Sequence, residues 1–171
     1  MRFITFILIC LLTYSCVPIQ IAPQIKDYKI KKGKNFKRKL PKQYSYIFKD
    51  PHGANSFYHF FNANHQQDAV DVAHNIAITI DHRTYYLSFF ETEKKTKILN
   101  LIPSILGDDS ENQIDSIENW YIVLMVRDVH FNDALKQGYR ERDKIIAYLN
   151  KLKASYINSI TYDSSWTPTL D

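Results

Sequence analysis

The chain has 171 residues, of which 45% are hydrophobic and 14% aromatic, so it can bury the core of one ordinary domain. Four scattered glycines and two cysteines exclude glycine-rich nucleotide loops and disulfide-dense scaffolds. The net charge of +4 hides an asymmetry, because nine basic residues and one acid between Lys26 and Lys42 carry about +8. Once that segment and Arg2 are subtracted, about −5 is left for residues 43–171.

The first sixteen residues have the plan of a secretory signal. Arg2 supplies a positive start, residues 3–12 form an uncharged apolar run, and Ser15 is small. Because Cys16 follows directly, the segment Thr13–Cys16 resembles a bacterial lipoprotein signal, which implies that Cys16 is lipidated and becomes the mature N-terminus. Ordinary secretion with cleavage after Ser15 is one alternative. An uncleaved anchor is another, although the run is shorter than the roughly 20 residues that span a bilayer.

The basic segment that follows is predicted to be an extended, self-repelling linker, since like charges are dense in it. Beside a lipid anchor it would lie near anionic headgroups of the membrane. Nucleic-acid binding would need an aromatic platform, and only Phe36 interrupts the basic run. We therefore expect a membrane contact or a solvated spacer here, and no nucleic-acid partner.

The first elements of the domain are a short strand and an aromatic helix. Residues 44–48 form the strand candidate, and the segment 50–53 predicts a helix start, with Asp50 as the cap and Pro51 in the first turn. The helix should fade near residues 65–67. Its predicted inner face, at helical spacing, consists of Ala54, Phe57, Phe60, Phe61 and Asn64.

Alternating apolar residues next predict a β-hairpin. Its turn is assigned to Asp81–Arg83, although this turn lacks a glycine. The alternating residues of the first strand are Val72, His74, Ile76, Ile78 and Ile80, and those of the second are Tyr85, Leu87 and Phe89.

The second half of the chain contains loops, one central strand and one long helix. The polar run 91–97 is predicted to precede a brief strand at 98–102, and residues 103–118 to form an acidic surface loop. Nearly continuous apolar sequence at 120–126 predicts a central strand that is covered on both faces. Asn132 can cap a helix of about 25 residues, in which apolar residues recur at a spacing of three to four.

These elements predict a single two-layer α+β domain, with an antiparallel sheet of about 4–5 strands, an early aromatic helix and a long C-terminal helix. The predicted organisation is a signal peptide at 1–15, a lipid-anchored basic tether at 16–42, the domain at 43–160 and an irregular tail at 161–171.

One cluster of residues has the chemistry of a metal site. His65, Asp68, Asp71 and His74 combine imidazole and carboxylate ligands within ten residues, as zinc accepts. They lie where a helix should end and a strand begin, so no regular periodicity directs them to one point. A solvated connection is the alternative interpretation.

A second group has acid–base chemistry. His130 lies near Asp128 and Asp133, and imidazole beside carboxylate can titrate close to neutral pH. It has no evident nucleophile partner, and neither a serine-hydrolase elbow nor a zinc-protease motif occurs. We therefore assign no catalytic residue and expect no cofactor.

The aromatic residues exceed what one small core needs. On the predicted hairpin, Tyr86 and Phe90 point away from the core-facing positions, and with the loop acids Asp108, Asp109 and Glu111 they form a candidate partner-binding face. A second layer of packing is the alternative for these two aromatic residues.

The sequence thus favours a non-enzymatic envelope lipoprotein that faces the periplasm or the cell exterior and binds an envelope or secreted protein. An immunity or inhibitor protein is one specific version, because the body of the chain is acidic. The alternatives are a metal-dependent hydrolase that uses the His65–His74 cluster, and a small-ligand carrier with an aromatic cavity between the first helix and the sheet.

Overall fold

The computed structural model describes residues 16–65, 74–100 and 114–159. In this part of the chain, no helix is both long and apolar enough to cross a membrane. The elements in chain order are β1 (Cys16–Gln20), β2 (Lys29–Lys32), α1 (Gly33–Phe36), β3 (Tyr44–Asp50), α2 (Ser56–His65), β4 (Ile76–Ile80), β5 (Arg83–Asn100), β6 (Ile114–Asp128) and α3 (Arg142–Ser159).

The contacts divide the chain into two compact units. Among the described residues, the larger unit comprises 24–65, 74–92 and 120–159, the smaller unit comprises 16–23, 93–100 and 114–119, and β5 and β6 contribute to both. In the larger unit the strands lie in the order β4–β5–β6–β3–β2. The strands pair antiparallel, so the prediction of an α+β fold with an antiparallel sheet is confirmed.

One face of this sheet is covered by α2 and α3. The central strand β6 contributes Ile122, Leu124 and Val126 to the core beneath the helices, while α2 contributes Phe57 and Phe61. All five side chains are fully buried. The aromatic inner face predicted for the first helix is therefore confirmed at these two phenylalanines, as is the central position of residues 120–126.

The opposite face is covered by the basic segment, so the tether predicted at 16–42 is wrong for residues 24–42, which are folded onto the sheet. Ile25, Phe36 and Leu40 are buried against Tyr121 and Val123 of β6 in a second core cluster. The strand β2 pairs with β3 over four residues. The lysines and Arg38 of this segment lie between these apolar residues in the sequence. The density of charge therefore predicted a linker, although residues 24–42 fold onto the sheet as a basic layer.

The hairpin is confirmed, with β4 showing strict alternation of buried and exposed residues. Its turn is formed by Asp81 and His82, which both have positive φ angles, 48° and 60°. A two-residue turn of this hand requires that conformation at both positions, and aspartate and histidine tolerate it better than most residues without glycine.

The helix α2 begins at Ser56, later than predicted. Asp50 ends β3 and is buried, and its Oδ1 accepts the backbone N–H of His52 (2.9 Å) and the Tyr156 hydroxyl (2.8 Å). The free backbone N–H groups at the start of the helix are instead paired with Glu91, whose carboxylate accepts hydrogen bonds from those of Asn55 and Tyr58. A cap supplied from β5 leaves no local sequence pattern.

The second long helix also begins later than predicted. The chain from Asn132 to Glu141 forms turns, including Gly138 with a φ of 85°, and α3 starts at Arg142. Ala134 and Leu135 are nonetheless buried in the core beneath the helices. The apolar spacing therefore identified buried residues correctly but extended the helix too far.

The polar run 91–97 does not precede a separate brief strand, because β5 continues through it without interruption to Asn100. The strand β6 already begins at Ile114, so Asp115 and Glu118 lie on a strand and not in the predicted acidic loop. An ion pair between Lys95 and Glu118 (2.9 Å) accompanies this extension. Residues 101–113 lie outside the described residues.

Candidate protein-binding surface

The loop that follows β6 is held by one carboxylate. Asp128 Oδ1 accepts the backbone N–H groups of His130 (2.9 Å) and Asn132 (2.8 Å), while its Oδ2 accepts the Asn132 side-chain amide (2.9 Å) and the Tyr139 hydroxyl (3.3 Å). Desolvation raises the pKa of Asp128, but these hydrogen bonds outweigh it and lower the pKa below its ordinary value. The carboxylate is therefore ionised at neutral pH and fixes the loop.

This loop presents apolar side chains to solvent. Phe131 is 67% exposed and Val129 is 51% exposed. Phe131 has a φ of 61°, a left-handed conformation that is unusual for a bulky residue. Backbone bonds around it, from Phe131 N–H to the Asp128 carbonyl (2.9 Å) and from Asp128 N–H to the Asn132 carbonyl (3.1 Å), maintain this conformation. Strained residues that persist in this way are concentrated at functional positions.

Phe131 packs against Tyr86, one of the residues of the predicted partner-binding face. The rings of Phe131 and Tyr86 are stacked, with centroids 6.2 Å apart and an interplanar angle of 9°. Tyr86 of β5 pairs with Ala77 of β4, and the exposed residues Thr79 and Thr84 form the next pair on the same face. The result is a flat aromatic platform with short side chains beside it.

A cavity of about 350 Å³ adjoins the loop, and a second of about 360 Å³ shares Arg83 and Tyr85 with it. Charged residues dominate the second cavity, where Arg83 pairs with Glu141 (2.5 Å) and Lys144 with Asp81 (2.6 Å). The first cavity is lined by Arg83, Thr84, Tyr85, Asp128, Val129, His130 and Tyr139. An apolar loop beside polar, charged hollows is the arrangement of an interface centre with its rim.

Among the other predicted partner-binding residues, the structure describes Phe90 alone. Phe90 is partly buried, packs against the second core cluster and has its ring 5.0 Å from that of His74. The acids Asp108, Asp109 and Glu111 lie outside the described residues. Of the two described residues of the predicted face, Tyr86 lies on the aromatic platform and Phe90 does not.

The predicted metal ligands are not brought together in the described part of the chain. Asp68 and Asp71 lie outside it, as does the side chain of His65, and His74 is exposed. Among residues 16–65, 74–100 and 114–159, no group of three or more histidine, cysteine or acidic side chains can hold a metal ion. The metal hypothesis remains a prediction about residues that the structure does not describe.

The acid–base group around His130 has structural roles instead. Asp128 holds the loop, and Asp133 accepts the backbone N–H groups of Tyr44 (2.7 Å) and Leu135 (3.1 Å). His130 is exposed. Both carboxylates thus accept hydrogen bonds from main-chain N–H groups. These structural contacts account for the two aspartates without a role in acid–base catalysis.

Beneath the middle of α2, aromatic rings fill the space of the predicted ligand cavity, while a hollow of about 260 Å³ remains at the start of the helix, beside Tyr58 and Phe89. Phe57 lies in the middle, with centroid distances of 5.1 Å to Phe89, 4.9 Å to Tyr156, 6.2 Å to Phe61 and 6.3 Å to Phe48. These contacts use the space that a ligand would need. The aromatic excess on this side is therefore core packing.

Sequence reasoning missed Val129 and Phe131. Two apolar residues in the polar context Asp128–Asn132, immediately after an apolar strand, were the available pattern, and we interpreted Asn132 only as a helix cap. The positive φ angle of Phe131 could not be predicted, because it depends on hydrogen bonds to Asp128.

Comparisons with protein-family models, with curated proteins and with solved structures each found no match.

Proposed function

We propose that this chain is a non-enzymatic protein-binding module of the bacterial cell envelope, tethered through a lipidated Cys16, and that it contacts its partner through Val129, Phe131 and Tyr86. The observation that carries this proposal is the exposure of Phe131 in a strained backbone conformation. The exposed apolar side chain of Phe131 and its positive φ angle both raise the free energy of the unbound protein. A partner that buries the Phe131 ring would offset this cost.

The rigidity of the loop supports the same function. Binding costs less when the contacting side chains are already ordered, and Asp128 orders this loop with four hydrogen bonds. Aromatic side chains at the centre of an interface, surrounded by polar groups, supply most of the binding energy in typical complexes. Phe131 stacked on Tyr86 has this character.

The charges beside the loop indicate the kind of partner. Arg140 has 88% of its side chain exposed, and Lys144 and Arg83 are also largely exposed, at 62% and 58%. Asp81 and Glu141 pair with these cations, so groups of both charges border the loop. We therefore propose a partner protein that offers an apolar pocket for Phe131 and complementary groups of both charges around that pocket. Complementary charge of this type increases association rates and selects among partners.

A photo-reactive amino acid placed at position 131 in cells tests the surface directly. We expect one discrete adduct with an envelope or secreted protein on irradiation. The matched control is the same probe at Ala147, an exposed position on α3. Adducts of equal yield and identity from both positions, or no adduct from 129 and 131, would contradict the proposal.

After the partner has been identified, the variant Phe131→Gly distinguishes an effect on partner affinity from an effect on folding. Glycine adopts positive φ without the steric cost of a side chain, so the free energy of unfolding should stay the same or increase. Affinity for the partner should fall at least about 30-fold, as expected for a central aromatic contact. Unchanged affinity in this well-folded variant would exclude Phe131 as the contact.

A further inference from the structure

The basic segment forms a fixed layer and not a loose chain. Gly33 N–H donates to the Gln43 carbonyl (2.9 Å), and Lys34 N–H donates to the Pro41 carbonyl (2.9 Å). A Cβ atom added to Gly33 would lie 2.7 Å from Met125 Cε and 2.8 Å from the Pro41 carbonyl oxygen, so the layer is in close contact with the sheet. Cations carried by this layer therefore have defined positions.

These cations lie on the side of the sheet away from the long helices. Lys29 pairs in register with Ile47, a member of the second core cluster, and paired residues point to the same face. Lys31 lies over the Phe36 ring of the same cluster, at 5.1 Å. The exposed cations of the layer and of the neighbouring strand are Lys26, Lys29, Lys34, Arg38, Lys39, Lys42 and Lys49.

Carboxylates of the larger unit pair with groups outside this layer. Asp27 forms an ion pair with Lys153 of α3, and Asp81 and Glu141 pair with Lys144 and Arg83 at the hairpin. Asp50 accepts a hydrogen bond from Tyr156 beneath the helices. These acids are engaged elsewhere, so the broad face formed by the layer is strongly positive.

We infer that this cationic face binds the anionic phospholipid headgroups of the membrane. Each cation near a negatively charged leaflet contributes favourably, and a lipid anchor combined with a basic patch holds more firmly than either alone. The inference concerns different residues from the partner-binding surface. It does not require Cys16 to be lipidated.

The composition of the face favours phospholipid over nucleic acid. Eight of the nine basic residues between Lys26 and Lys42 are lysines, which act as point charges, whereas arginine provides the planar, bidentate contacts of base recognition. The aromatic residues of the second cluster, Phe36 and Tyr121, are buried and present no stacking platform. The helix α1 has only four residues and cannot enter a groove.

Lysine footprinting of the full chain in vesicles tests the inference. The protein is reconstituted into phosphatidylcholine vesicles with or without phosphatidylglycerol, its lysines are acylated by an amine-reactive reagent, and modification is measured by mass spectrometry. We expect Lys34 and Lys39 to be modified more slowly when phosphatidylglycerol is present, and high salt to abolish this protection. Lys136 and Lys151, exposed outside the layer, are internal controls and should react equally in both vesicles.

A charge-reversed pair of variants makes the result specific. Lys34→Glu/Lys39→Glu should lose the protection of the remaining layer lysines, whereas Lys136→Glu/Lys151→Glu should retain it. Equal modification of the layer in both vesicle types, or protection of Lys136 and Lys151 instead, would overturn the inference. So would stronger protection of the layer by a single-stranded RNA than by phosphatidylglycerol, which would indicate a nucleic-acid surface. None of these outcomes affects the cross-linking result at position 131.

Discussion

The two faces of the sheet are covered in different ways, although the same central strand supplies both cores. Beneath the helices, aromatic rings are joined by polar contacts such as Tyr156 to Asp50 (2.8 Å) and Tyr46 to Asn150 (2.5 Å). On the opposite face a smaller cluster lies under the basic layer, with Lys31 over the ring of Phe36. The face beneath the helices therefore has the larger buried core and contributes more to stability. The opposite face has a smaller core, and its outer surface carries mainly lysines.

The largest expected difference between the faces is the cost of removing a central ring. Phe57→Ala should reduce the free energy of unfolding by about 3–5 kcal/mol, because Phe57 contacts five rings in a packed interior. Phe36→Ala should cost less, since the short layer above it can collapse into the space. Urea denaturation of both variants measures the difference. Equal costs would show that the layer is as rigid as the helical face.

The comparison also explains which elements the sequence could predict. Strict alternation identified the hairpin, and a continuous apolar run identified β6, because burial imposes these patterns locally. The basic layer was missed because its few buried residues, such as Ile25, Phe36 and Leu40, follow no period and lie between lysines.

The candidate site shows the same limit. Tyr86 was accessible to sequence reasoning because alternation assigns it to the outer face. Phe131 was not, since its position depends on the contacts of Asp128 with residues on both sides of it in the folded loop. Likewise, the start of α2 depends on Glu91, which is distant in sequence.

A methyl group at Gly33 should disturb the packing within the basic layer as well as its contact with Met125 of the sheet. Gly33→Ala places a carbon where the Pro41 carbonyl oxygen is only 2.8 Å away, and backbone cannot move aside as a flexible side chain can. We expect a loss of about 1–3 kcal/mol in the free energy of unfolding, as for other overpacked sites. Gly138→Ala is the informative comparison, because nothing lies within 4 Å there and its cost comes from the φ of 85° alone. Faster amide exchange at residues 33–41 in Gly33→Ala alone would confirm that the layer has loosened.

The polar contacts of the helical face predict sensitivity to alkali. Burial, together with the neighbouring Asp50, raises the pKa of Tyr156 far above its ordinary value of about 10. A raised pKa in the folded state contributes stability that is complete below about pH 10 and is lost as the pH rises further. Tyr156→Phe should cost about 1–3 kcal/mol at neutral pH, because the buried Asp50 loses a donor, but the gap to the unmodified chain should narrow above about pH 10. Parallel stability curves up to high pH would contradict this assignment.

The smallest expected effect is at the edge of the helical face, where Asp128 joins the exposed loop to Tyr139. Because the pKa of Asp128 is lowered in the folded state, its contribution is present at neutral pH and is lost as the pH falls below the unfolded value of about 3.9. Between about pH 5 and pH 2 the unmodified chain should therefore lose more stability than Asp128→Asn, which has no charge to lose. Partner affinity should decrease in Asp128→Asn even at neutral pH, since the loop that presents Phe131 is then held by weaker hydrogen bonds. If Asp128→Asn bound as tightly as the unmodified chain, the order of this loop would not contribute to recognition.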